Sequence, residues 1–210
     1  AADRLAAVRR RIDHSRPRAK TDASEVTLVG ACKRPSVDRI AASLYAGLRQ
    51  LGENYVQEAR ATRQQLEPFL AEPANGAPPP PPRWHMIGHL QRNKAKAATA
   101  FDMIASVDSV RIAAALDSHL DSPQSILLEV NVASEASKTG LAPEQLPATM
   151  EAIQGMTHLC VEGLMTIAPL VADAEVVRPV FRRLRELRDT HSLRHLSMGM
   201  TNDYTVAIEE

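Results

Sequence analysis

"ILLEVNV", residues 126–132, decides the fold. Ile126, Leu127 and Leu128 are apolar on consecutive positions instead of alternating with polar residues, the pattern of a strand covered on both faces. Such a strand belongs in a parallel sheet wrapped by helices. The surrounding chain agrees. Further short apolar runs lie at 26–32, 49–52 (the weakest), 84–87, 103–107, 160–167 and 195–198. They alternate with helical patterns at 36–46, 55–66, 92–99, 110–119, 143–154 and 174–190, after an amphipathic first helix in "AADRLAAVRRRIDH". Strand–helix alternation with right-handed crossovers leaves an open doubly wound sheet or a closed (β/α) barrel. No Gly-rich dinucleotide turn follows the first strand, which favours the barrel.

Composition narrows the function classes. With 25 Lys+Arg against 25 Asp+Glu the formal net charge is zero, so no global basic field gathers nucleic acid or an anionic membrane. No apolar run approaches the roughly 20 residues that cross a bilayer. The first helix lacks the apolar core of a signal peptide. Cys32 and Cys160 make neither a disulfide framework nor a metal cluster, and a reducing, cytoplasmic setting is the expectation. Residues 1–210 read as a single barrel domain. "EPANGAPPPPPR", 72–83, is expected to be an exposed Pro-rich insertion.

In a (β/α) barrel, functional groups collect at the C-terminal ends of the strands. Here those ends carry Lys33, "GENY" (52–55), "IGHLQRNK" (87–94), "SVDS" (106–109), "NVASEASKTG" (131–140), "GLMTIAP" (163–169) and "LSMGMTND" (196–203). Paired strand-end carboxylates, metal-ligand spacing, a G-x-S-x-G elbow and a phosphate-binding P-loop are all missing. A lysine facing the barrel mouth would be desolvated and so able to join a carbonyl compound as a Schiff base. Ser197 and Gly199 sit on a turn ahead of a helix start near Asp203, where exposed N–H groups suit a phosphate. An amine and an anion cradle together suit a phosphorylated aldehyde.

Other groups read as structural. Cys32 is packing within an apolar strand, Asp102 and Asp108 cap or flank the strand at 103–107, and His119, His158, His191 and His195 share no spacing. Arg182, Arg185 and Arg188 form the solvated face of a helix whose apolar stripe is Phe181, Leu184 and Leu187. Lys138 follows a strand end and reads as a loop lysine.

"CKRP", "GLRQLGENYVQEA", "WHMIGHLQRNKAK", "IASVDS", "LLEVNVASEASKTG", "VEGLMTIAP" and "LSMGMTNDYTVAIE" appear in that order from about residue 26 to the end. Together they resemble the signatures of the pyridoxal phosphate homeostasis proteins, also called the YggS or PROSC family. The resemblance implies a (β/α)8 TIM-type barrel of PLP fold type III, like the N-terminal domain of alanine racemase, with pyridoxal 5′-phosphate in its mouth. It implies that Lys33 holds the cofactor as a Schiff base and that Ser197, Met198 and Gly199 contribute to phosphate binding. Asn54, His85 and Met165 match positions lining the pocket. It further implies a role in vitamin B6 homeostasis without catalytic turnover, apo PLP enzymes as recipients, and a monomer with neither nucleic acid nor membrane as partner. A PLP-dependent, racemase-like enzyme is the alternative; a chain of this length is expected to lack a racemase's second domain, and Tyr45, Tyr55 and Tyr204, read within helices or their first turns, have no obvious base role.

The family pattern continues past "AIE" with a further strand bearing an R-x-G-T type motif that completes the phosphate cup. This sequence ends at Glu210, and its strand candidates number seven where a closed barrel wants about eight. The expectation is a barrel short of its last strand and C-terminal helix, through a missing tail rather than an open barrel with unpaired edges, and with PLP affinity in doubt in this form.

Overall fold

The computed structural model describes residues 1–20, 22, 26–71, 77–135 and 139–210. After the first helix, α1 (Ala2–Ser15), the described chain runs as seven βα units. They are β1 (Val29–Ala31) and α2 (Val37–Tyr45), β2 (Gln50–Glu53) and α3 (Val56–Ala71), β3 (Arg83–Met86) and α4 (Ala95–Ala98), and β4 (Met103–Val107) and α5 (Val110–Asp117). Then follow β5 (Gln124–Glu129) and α6 (Leu146–Gln154), β6 (Leu159–Met165) and α7 (Arg178–Thr190), and β7 (His195–Ser197) and α8 (Tyr204–Glu209).

Every neighbouring pair is parallel, and spatial order follows chain order from β1 to β7. That order is the one in which a right-twisted parallel sheet curls toward a barrel. The helix layer follows the curl far enough for α1, at the start, to pack on α8, at the end. Arg18 pairs with Glu209 at 2.5 Å, and the Lys20 N–H donates to the Glu209 carbonyl at 2.8 Å. The architecture is thus a curled half-barrel of the TIM type, with seven strands among the described residues where a closed barrel has eight. β1 and β7 are its two edges, and each has one strand partner among the described residues.

Side-chain alternation divides the apolar residues into an outer and an inner set. Leu51, Met86, Ile104, Ile126, Leu128 and Leu164 face the helices and pack with Leu44, Leu116, Leu146 and Leu184. Met103, Ala105, Leu127 and Met165 form a separate inner cluster with Ile87. This filled interior, typical of small barrels, is the floor beneath the strand ends.

The strand at 103–107 lies as the sequence indicates, whereas the run at 26–32 yields only Val29–Ala31. β1 is an edge strand, and its register against β2 spans three residues, Val29↔Gln50 to Ala31↔Gly52. The helical patterns at 92–99 and 174–190 each split into a 3₁₀ turn followed by an α-helix. In the second case Pro179 sits in the first turn of α7, where a missing N–H costs no helical bond. Helix α3 passes the expected stop at 66 and carries Pro68 in its exposed last turn. Ser36 is the N-cap residue of α2 but makes no side-chain capping bond. The Pro-rich insertion lies partly outside the described residues; positions 78–82 have no regular structure.

Candidate functional site

Lys33 stands two residues beyond β1, at the C-terminal end of the sheet. The Arg34 N–H donates to the Cys32 carbonyl at 2.9 Å, a three-residue turn with Lys33 at its apex. The lysine is exposed, so the expected desolvation of its amine is not realised. Cys32 beside it is buried; burial, with Glu53 nearby, pushes its thiol up to about 12. A thiol in that state is a packing group, as its place in the apolar run indicated.

At the other edge, Ser197 ends β7 in register with Met165, the last residue of β6. Its carbonyl accepts from the Thr166 N–H at 3.1 Å. The chain then turns sharply at Gly199, whose φ is +87°. A Cβ there would lie 2.7 Å from Ala207 Cβ and 2.8 Å from Tyr204 Cα, so only glycine lets the turn seat on α8. Buried Asp203 closes the turn by accepting the Met200 N–H through its carboxylate. The backbone N–H groups of Met198 and Gly199 donate to no acceptor among the described residues. Two such N–H groups on a glycine turn at a strand end have the geometry that suits an anion.

Between these edges lie the remaining candidates. Asn54 directly follows β2, and the backbone of Gly88 presses against it; a Cβ on Gly88 would lie 2.4 Å from the Asn54 carbonyl oxygen. The Gly88 carbonyl in turn accepts from Ser106 Oγ at 2.6 Å, which ties the ends of β2, β3 and β4 together. His85 lies deeper, level with Gly52 and Met103, and its Nε2 meets Gln50 Oε1 at 2.7 Å. Burial, with Arg83 adding to it, lowers the His85 pKa, so the ring is neutral at pH 7. Met165 is 4% exposed and belongs to the inner apolar floor. Lys33, Asn54, Ser197, Met198 and Gly199 therefore surround the strand-end face, with Met165 beneath it and His85 below the rim. Lys138 lies outside the described residues.

Three groups, one at the start of β2 and two at the strand ends, escaped the sequence reading. Gln50 orients His85 from the neighbouring strand. Glu129, two residues after inward-facing Leu127, is 3% exposed and accepts from Thr139 Oγ1 at 2.7 Å. Burial raises its pKa, Thr139 opposes that, and Asp108 adds to it. A lone carboxylate inside an apolar run was the available signal. Third, His89 Nδ1 pairs with Asp108 Oδ2 at 3.0 Å, across the ends of β3 and β4. Asp102 matches its reading, since Oδ2 accepts the Trp84 N–H at 2.7 Å. Phe181, Leu184 and Leu187 form the buried stripe as expected. The arginines on α7 are more than a solvated face: Arg178, Arg182 and Arg185 all pair with buried Glu210.

Comparison with known proteins agrees with this fold. The family model for the alanine racemase N-terminal domain matches residues 4–209. A pyridoxal phosphate homeostasis protein of Pseudomonas aeruginosa is 37% identical, and the match covers all of this chain and 89% of that protein. One from Aquifex aeolicus is also 37% identical, covering all of this chain and 92% of the relative. Among solved structures, PipY of Synechococcus elongatus with PLP bound is 31% identical with a TM-score of 0.76, covering 99% of this chain and 92% of that one. This chain therefore belongs to the pyridoxal phosphate homeostasis protein family, built on the fold of the alanine racemase N-terminal domain.

Proposed function

We propose that this chain binds pyridoxal 5′-phosphate at the C-terminal face of its sheet, holds it covalently through Lys33 without catalytic turnover, and serves vitamin B6 homeostasis. The observation that carries the reading is the pairing of two features on one face: an exposed lysine at the end of β1 and, at the end of β7, a glycine turn whose Met198 and Gly199 N–H groups have no acceptor among the described residues. The family's names and the PLP-bound relative support it.

The residues present fit the cofactor. It brings an aldehyde, which a primary amine captures, and a phosphate, which backbone N–H groups cradle. Lys33 offers the amine on the water side, so capture and release need no opening of the barrel. Ser197, Met198 and Gly199 hold the anion, with Gly199 setting the curvature of the turn. Met165 and the inner cluster close the floor against water from below. His85, neutral and fixed by Gln50, presents a dipole rather than a charge, and Asn54 contributes an amide at the rim. A racemase needs a positioned acid–base pair around the α-carbon. Tyr45 ends α2, Tyr55 is exposed before α3 and Tyr204 opens α8, so none supplies that pair. Cofactor delivery to apo PLP enzymes, a cytoplasmic setting, a monomeric state and the single-domain reading of residues 1–210 belong to the same proposal. No helix among the described residues is long and apolar enough to cross a membrane.

Titration with PLP, followed by absorbance, tests the reading. The wild-type chain develops a saturable band near the visible edge, and Lys33→Ala does not. A racemisation assay on amino acids with PLP present is expected to show no turnover above free cofactor; clear turnover would replace the carrier with an enzyme.

A further inference from the structure

We propose that the cleft between residues 89–92 and the first turn of α5 is a second anion site, one that takes a small organic phosphate. The cleft encloses about 670 Å³, and its lining includes neither Lys33 nor the turn at Ser197. That volume lies within the roughly 300–1,000 Å³ of small-molecule sites. Leu90 and Ile112, 1% and 3% exposed, form an apolar floor. Arg92 and Arg111 reach in from two different elements.

Charge bookkeeping shows what is missing. The carboxylate in the lining is Asp108, and both of its oxygens are engaged. Oδ1 accepts from Ser109 Oγ at 3.1 Å, while Oδ2 pairs with His89 at 3.0 Å. Neither Arg92 nor Arg111 has an ion pair or side-chain hydrogen bond among the described residues. The walls are fixed, since Ser106 holds the Gly88 carbonyl and Ser109 Oγ accepts the Ile112 N–H at 3.4 Å. Two unpaired guanidinium forks on pinned elements suit the oxygens of a phosphate monoester. The apolar floor calls for an organic body beyond the phosphate.

The test titrates phenyl phosphate, and separately inorganic phosphate, into the full chain while following the methyl resonances of Leu90 and Ile112. Phenyl phosphate should give saturable shifts, with inorganic phosphate at least about tenfold weaker. Replacing both arginines, Arg92→Gln and Arg111→Gln, should weaken phenyl phosphate about tenfold or more. Lys96→Gln removes a nearby exposed charge outside the cleft and should change affinity by less than about twofold. The proposal is overturned by absent saturation, by equal affinity for the two probes, by an unaffected double variant, or by an equal loss in Lys96→Gln. Because the readout sits at Leu90 and Ile112, failure here leaves the Lys33 assignment untouched, and the reverse holds too.

Discussion

The centre and the edges of the sheet differ in kind. All five residues of β4 are buried, as are five of the six in β5. In β1 and β7 none of the three residues in either strand is fully buried. The cause is topological: a central strand has strand neighbours on both sides and apolar layers on both faces, whereas an edge strand lacks one neighbour. The groups proposed to hold the cofactor follow the same division. Lys33 and the Ser197–Gly199 turn stand at the two edges, while the centre contributes floor residues. Stability is concentrated where the chain is sealed, and the proposed cofactor site lies where it stays open.

The largest effect should come from the centre. Leu128→Ala removes a fully buried side chain from β5 and should cost about 2–5 kcal/mol in urea unfolding. The surviving folded fraction should still capture PLP, because Leu128 belongs to the set that faces the helices and Lys33 stands exposed at the far edge. Next comes the seam between centre and edge. A Cβ at Gly163 would stand 2.0 Å from the His195 carbonyl oxygen, so Gly163→Ala must push β7 away from β6. A cost of about 3 kcal/mol is expected, together with weaker PLP binding. Loss of stability with unchanged PLP affinity would uncouple the cradle from the strand that carries it. At the edge itself, Gly199→Ala forces a side chain into positive φ and against α8, a cost of about 1–3 kcal/mol. PLP affinity should fall there while Lys33 capture chemistry persists at high cofactor concentration.

Protons distinguish the two regions as well. The pKa of Glu129 is raised above 4.5, first by burial, so this carboxyl stabilises the fold at low pH and loses that contribution as pH rises through its folded value. Glu209 and Glu210, outside the barrel, behave in the opposite sense. Arg178 and Arg18 hold Glu209 below the carboxylate value. Burial alone would raise Glu210, but Arg182, Arg185 and Arg178 together outweigh it. Their stabilisation is present above about pH 4.5 and lost as pH falls through the folded values. Urea midpoints from about pH 4 to about pH 8 should therefore decline less on the alkaline side in Glu129→Gln. Arg178→Gln should instead lose stability mainly above pH 4.5. Matching pH profiles for the two variants would contradict this division.

The sequence carried the centre more plainly than the edges. A doubly covered strand must be apolar on both faces, so Met103–Val107 was legible to the residue. Edge strands depend on one neighbour's length, and the run at 26–32 therefore promised more strand than β1 contains. Lys33 and the "LSMGM" turn were legible because a strand end and a glycine turn leave local marks. Gln50 beside His85, and Asp108 beside His89, were not. Each pair joins adjacent strands, and register across a sheet leaves no trace in either strand alone. The arginines of α7 looked solvated for the same reason, since their partner Glu210 lies 25–32 residues away in sequence.

Lys33→Ala should be the mildest change to the fold, within about 0.5 kcal/mol, because the side chain is exposed. The proposed covalent capture of PLP nevertheless rests on that residue. Incubating the full chain with PLP, reducing with borohydride and mapping the modified peptide by mass spectrometry tests it most directly. The cofactor's mass should appear on the peptide containing Lys33 and on no other lysine at stoichiometric PLP. Modification spread over other lysines, or unchanged labelling in Lys33→Ala, would contradict it.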